Sequence, residues 1–448
     1  MVDRHDLNRN RLRMPVLFRR FAQWPWPTRI IILIALAIGL AERVGWAVSR
    51  RTPWAVGEAP NVAIALAKGR GFADAFFPGQ GPTAHVLPIA PAVAGAVYWL
   101  FGIRTPIAET ILCGWSLLLT FGCYGLFALI FARLGLHRRA VLGGFVLLCV
   151  LPVYTTNEAF EFRVWEGGLG LLLGALSLLL FIRADAGEPP RHFAIWRALL
   201  PAAAFFVNPP VGVAAVLAAA LYWWRHRHTE RFWKVALAGL AAIALFVLPW
   251  TIRNERAMGH AIPLRDDLGM EIAVANHPAA VHPADLDRVF MDRLIAIQPY
   301  IHPPAYRAMW ASGGEVAYSQ KLGRETAAWM KAHPGDVAII WRRHFVEMLF
   351  TRKWLFKTAH GRSLPLIRTI IVNVVAVLGL IGLALAARRR DGLYAYALIF
   401  VAVPTLLYVP FQPINRYTWL IWPPLIYLAV DAITRAWSAR RSQSSSSS

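Results

Sequence analysis

Hydrophobic residues in this chain come in long unbroken runs, without the alternating or one-faced patterns of a water-soluble domain. Runs over residues 29–48, 106–133, 139–156, 166–183, 234–251, 364–387, 392–411 and 417–434 each approach the roughly 20 residues that carry a helix across a bilayer. Two more flank Asn208-Pro209-Pro210 as a tight hairpin, which brings the expected total to about ten transmembrane helices. Residues 86–101 are also apolar, but they are short and Pro88 and Pro91 break their first turn, so they read as a juxtamembrane helix. The fold class expected is an all-α polytopic membrane protein with juxtamembrane helices and a small outer region.

The polar segments orient this array. Arg133 to Arg139, the turn around 183–192, the stretch WWRHRHTERFWK and Arg388-Arg389-Arg390 all fall on one face, the cytoplasmic one by the distribution of Lys and Arg. Residues 1–28, rich in Arg, form a cytoplasmic tail, and Trp24 and Trp26 sit where an interfacial belt is expected. The first run is then an uncleaved signal-anchor. The expected organisation is a transmembrane module over 29–251 with a first outer loop at 49–105, a juxtamembrane region at 252–362, and C-terminal transmembrane helices at 363–435. Residues 436–448 end in a Ser run with the composition of a disordered tail. Residues 336–356 mix Trp, Phe and Ile with Arg342, Arg343, His344 and Glu347, the composition of a helix lying on the membrane.

Composition agrees. Of 448 residues, 57% are hydrophobic, more than a soluble chain can cover with polar surface. The net charge of +22 does not indicate nucleic acid, because the excess sits in short loops between spans. Cys113 and Cys123 are about 15 Å apart on one helix, too far for a disulfide, and the three cysteines have no metal-ligand spacing. No nucleotide-binding glycine pattern is present, and no metal or other cofactor is expected.

Candidate chemistry collects on the outer face. Glu58 opens the stretch GEAPNVAIALAKGRGF, which continues through Lys68 and Arg70 to PTAHVLPIAP with a lone His85. A second acidic loop carries Glu158, Glu161 and Glu166, with Glu158 and Glu161 read as solvated loop charges. Arg253-Asn254 and Arg416-Tyr417 lie on the same side. Two acidic loops beside cations suit transfer from a sugar already activated by a polyprenyl phosphate. A carboxylate deprotonates the acceptor, and cations hold the leaving phosphate.

These residues also carry a resemblance. GEAPNVAIALAKGRGF, PTAHVLPIAP, VWEGGLGLLLGAL and LPWTIRNERAMGHAIPLRDDLGMEIAVANHP resemble the GT-C superfamily of membrane glycosyltransferases. The likeness is to glycosyltransferase family 39, related to protein mannosyltransferases and lipid A aminoarabinose transferases. It covers residues 28–350, with a weaker echo in INRYTWLIWPP. The resemblance implies a GT-C fold, a polyprenyl-phosphate sugar donor, and inverting transfer at the periplasmic face of a bacterial inner membrane. It also implies an acceptor protein, lipid or glycan. It places Glu58 at the family's first-loop acid and Glu166 at the second, as catalytic residues. The phosphate-binding roles then go to Lys68, Arg70 and His85, with Arg253, Asn254 and Arg416 as substrate contacts. The family's first-loop acid is often paired, whereas Gly57 precedes Glu58 here. The rival readings are a transporter or flippase for a lipid-linked or anionic solute, and a polysaccharide ligase or polymerase.

Overall fold

The computed structural model of the protein describes residues 24–50, 54–228, 231–357, 364–389 and 392–446, with side chains described as far as residue 438. The expected tail at 1–28 therefore lies almost wholly outside the described residues. Among these residues the chain is all-helical, with 18 α-helices and no strand. In chain order they begin with α1 (Trp26–Val48), α2 (Glu58–Ala67), α3 (Ile89–Phe101), α4 (Pro106–Arg133), α5 (Arg138–Val150) and α6 (Thr155–Ala159). There follow α7 (Gly167–Asp185), α8 (Phe193–Val207), α9 (Pro209–Arg225), α10 (Phe232–Met258), α11 (Leu268–Ala275) and α12 (Leu286–Ile297). The last are α13 (Pro303–Ala311), α14 (Glu315–Ala332), α15 (Pro334–Leu349), α16 (Pro365–Arg389), α17 (Tyr394–Tyr408) and α18 (Asn415–Ser446).

Apart from 139–156, the apolar runs predicted to span are helical over most of their length, and five of these helices (α1, α4, α7, α10 and α16) are long and apolar enough to cross a bilayer unaided. The hairpin at Asn208 forms as expected. Its side chain caps α9 by accepting from the Val211 N–H at 3.3 Å. A Cβ on Gly170 would lie 2.4 Å from the Asn208 Cβ, so α7 and this hairpin meet at a contact that only a glycine permits. One expectation needs correction. The run over 139–156 is not one helix, because the chain stops at Val150, before Pro152, and turns by 72° into residues 155–163. Within the described residues α18 continues through Ser446.

The turn after α5 has a cause in charge. Glu158, read from sequence as a solvated loop acid, is 1% exposed and lies 2.7 Å from Arg43, which is itself fully buried on α1. Tyr124 on α4 and Trp419 on α18 donate to the same carboxylate, the indole at 3.1 Å. Arg43 also donates to the carbonyls of Gly39 (2.9 Å) and Cys149 (2.8 Å). Nearby, Arg368 on α16 donates to Thr155 at 2.7 Å. Three helices, α1, α4 and α18, thus converge on one buried acid. A second buried pair, Arg163 to Glu109 at 2.9 Å, receives the Tyr98 hydroxyl at 2.8 Å and joins α3 to α4.

The two ends of the bundle are unlike. One end gathers Arg133 with Glu188 (2.6 Å), Arg225 with Asp185, and the loop before α10. The other gathers the C-termini of α1, α5 and α10 and the N-termini of α7, α16 and α18, with α11–α15 beside them. Because the Arg43 pair holds the turn at that second end, Glu158→Ala is expected to cost about 3–5 kcal/mol by leaving a buried guanidinium unpaired. A fall in the apparent Tm of the purified protein, larger than for Glu188→Ala at the opposite end, checks this.

Candidate active site

A cavity of about 480 Å³ opens among the loops at the second end of the bundle. Its wall starts at Gly57, whose φ of 125° and ψ of −170° lie in a region essentially reserved for glycine. A Cβ there would meet nothing within 4 Å, so the backbone, not crowding, demands the glycine. This accounts for the missing partner acid: a side chain at position 57 would strain the turn that presents Glu58. Glu58 is the first residue of α2, where the helix dipole favours a carboxylate. It accepts from Gln298 Nε2 at 2.8 Å and lies 4.0 Å from His85 Nε2.

His85 is 3% exposed, its ring meets Phe76 edge-on at 4.7 Å, and its buried Nδ1 has no hydrogen-bond partner among the described residues. Its position derives from far along the chain. Glu315, at the start of α14, accepts from Gln80 Nε2 (2.5 Å), Thr83 Oγ1 (2.7 Å) and the Ala84 N–H (2.9 Å). Asp74 closes the intervening turn by accepting from the Gly79 and Gly81 N–H groups at 3.1 and 3.0 Å.

The opposite wall comes from residues 265–271 and 412–417. Arg265 donates to Glu166 and lies 3.6 Å from Asp267. Burial works against its charge, but Glu166 and Asp267 prevail and hold its pKa above the usual arginine value. Arg416 packs over the Trp165 ring at 4.3 Å and the Tyr417 ring at 5.4 Å. Glu271 faces both walls. Burial, and then Asp267, push its carboxyl up to about 6, against the pull of Arg416 and His85. Arg50, Lys357, Glu161 and Tyr300 complete the polar lining, and Ala55, Val56, Phe160 and Ile301 supply an apolar flank. Four permanent cations therefore face four acids, which suits a ligand carrying an anionic group beside one that must lose a proton.

Of the predicted site residues, Glu58, His85 and Arg416 line the cavity. Glu166 stands behind it, joined through Arg265. Lys68 and Arg70 do not reach it: they follow the far end of α2, about 15 Å along the helix from Glu58. Arg70 is paired with Asp74 at 2.5 Å. Arg253 and Asn254 do not line it either. Arg253 donates to the carbonyls of Thr83 (2.8 Å) and Phe72, and the fully buried Asn254 donates to Ile262 O at 2.8 Å. Both shape the loops that carry His85 and Arg265. The missed residues, Arg265, Asp267 and Glu271, lie in the same stretch as Arg253, LPWTIRNERAMGHAIPLRDDLGMEIAVANHP, further along it. The signal was three acids and an arginine just after a span, in a loop too charged for a mere connector.

No family model matches the chain, and no curated protein matches it. Among solved structures it is similar to the archaeal oligosaccharyltransferase AglB from Archaeoglobus fulgidus, determined with an inhibitory peptide and a dolichol-phosphate. The TM-score is 0.52 at 12% identity, over 92% of this chain and 51% of that one. AglB is a GT-C type enzyme. This chain has the GT-C fold. It spans about half the length of AglB.

The raised Glu271 carboxyl has a consequence for stability. The folded protein keeps this proton up to about pH 6, whereas an unperturbed carboxyl releases it near 4.5. The group therefore favours the fold below pH 4.5, and that contribution is lost as pH rises through 6, to the extent of roughly 1–2 kcal/mol. Glu271→Gln should flatten the apparent Tm between about pH 4.5 and 6. Melting curves across that range test it.

Proposed function

We propose that this protein is a membrane glycosyltransferase that moves a sugar from a polyprenyl-phosphate donor to an acceptor hydroxyl or amine. The observation that carries the reading is the cavity itself. It stands at one end of a GT-C bundle and sets Glu58 opposite Arg265 and Arg416, beside an apolar flank suited to a lipid chain.

The donor phosphate is held by Arg416, His85 and Arg265, with Lys357 and Arg50 at the rim. Glu58 takes the proton of the acceptor as its oxygen or nitrogen bonds to the anomeric carbon. The bond from that carbon to the phosphate oxygen breaks with its electron pair going to the phosphate, whose charge the cations offset. Attack from the side opposite the phosphate inverts the anomeric configuration. Glu166 is a positioning residue in this scheme, since it fixes the Arg265 guanidinium. The archaeal neighbour was captured with a dolichol-phosphate and an inhibitory peptide, which supports a lipid phosphate and an acceptor as the partners of this protein. The cavity then faces the periplasm of a bacterial inner membrane, with the arginine-rich loops in the cytoplasm.

Glu58→Gln should lower transfer by about 10²–10⁴-fold while leaving membrane insertion and elution as a single species intact. The assay is release of radiolabelled sugar from a polyprenyl-phosphate donor by purified protein. A full rate in the variant would remove Glu58 from the role of base. Uptake of uncleaved donor into vesicles would replace the transferase with a transporter.

A further inference from the structure

A second recess, of about 510 Å³, lies outside the catalytic cavity, between α15 and residues 281–283. Its polar lining is Arg342, Arg343, Arg352 and His282, and its apolar lining includes Ile339 and Val346. The carboxylate facing these groups is Glu347, and it is committed: Arg352 Nε lies 2.8 Å from one oxygen, while Gln412 Nε2 donates to the other at 3.2 Å. Arg343 is anchored through one nitrogen, which donates to Ala280 O at 2.7 Å. Its Nε and second terminal nitrogen are buried and have no acceptor among the described residues. Such an uncompensated guanidinium is costly unless a ligand supplies the acceptor. Burial accordingly draws the Arg343 pKa down, even with Glu347 near.

The recess also sits at a definite depth. Asn373, eight residues or about 12 Å into the membrane helix α16, donates to Thr351 O at 3.3 Å. The His344 ring lies 2.9 Å from Val409 O, just past the end of α17. Arg352 and the C-terminal half of α15 are thus packed beside the N-terminal half of α16 and the end of α17, two apolar helices. Phe345 and Val346 beside the arginines are 41% and 46% exposed, as expected of side chains that enter the acyl boundary.

We infer that this recess binds the phosphate of an anionic lipid: Arg343 and Arg342 take the phosphate oxygens, and Phe345 and Val346 lie against the acyl chains. The ligand is a membrane lipid and not free phosphate, because the arginines open where the headgroups lie and their apolar neighbours face outward. The site is separate from the catalytic cavity, although Glu347 stands between them, held by Arg352 on one side and by the cavity residue Gln412 on the other.

Native mass spectrometry of the purified full chain, titrated with phosphatidylglycerol or phosphatidylcholine in neutral detergent, tests the site without any transfer assay. The intact protein should retain phosphatidylglycerol in preference to phosphatidylcholine. Arg342→Gln, at an exposed position that the fold does not need, should weaken phosphatidylglycerol by about fivefold, and the Arg342→Gln/Arg343→Gln double variant further. Arg288→Gln, on the exposed face of α12, should change nothing. Equal retention of the two lipids, or unchanged phosphatidylglycerol binding in Arg342→Gln, overturns the proposal. Inorganic phosphate that displaces the lipid in an Arg342-dependent way would overturn the lipid assignment.

Discussion

A carboxylate withdrawn from water inside a membrane bundle must be answered by positive charge and hydrogen-bond donors, and Glu158 is where this chain meets that requirement. Arg43, Tyr124 and Trp419 converge on it from three helices. Their convergence fixes the turn after α5 and stops that segment from continuing as a straight span. Everything just downstream inherits its position from that turn. Glu161 and Trp165 reach the cavity wall, Glu166 stands behind Arg265, and α7 starts at Gly167. A pair of this kind contributes less to net stability than to the choice of one arrangement over others, since its desolvation cost nearly offsets its attraction.

The cavity uses charge differently. Its acids and cations are left partly unpaired or paired across a gap, as with Glu58 and His85 at 4.0 Å. The unpartnered Nδ1 of His85 and the raised carboxyl of Glu271 are both signs of groups whose interactions are incomplete without a ligand. The surrounding loops are held by buried and partly buried hydrogen bonds. Glu315 satisfies three donors from the first loop, and Arg253 spends its guanidinium on two loop carbonyls. Rigid support around an unsaturated centre is the arrangement that lets a site bind charge without reorganising.

The helices were legible because hydrocarbon imposes a length and a composition that a single sequence displays directly. Glu58 and His85 were legible because the glycines and prolines around them mark a built loop. Glu158 was not: an acid beside a span boundary reads as solvated until its partner Arg43, more than a hundred residues away, is known to face it. For Arg253 and Asn254, proximity to Arg265 and Glu271 in sequence conceals which side chains face the cavity and which bond to backbone. Lys68 and Arg70 lie outside the cavity because ten residues of helix carry a charge well away from the acid that precedes it.

The Glu315 clamp bears on how the protein is made. It joins residues separated by 232 positions along the chain. At ribosomal speeds of about 5–20 residues per second, between ten and fifty seconds pass after Thr83 is synthesised before Glu315 exists to hold it. In that interval several more membrane helices must insert. The wall bearing His85 is therefore set only after most of the bundle is in place, and a nascent chain cut short before α14 would carry Glu58 and the His85 loop without the carboxylate that holds that loop in place.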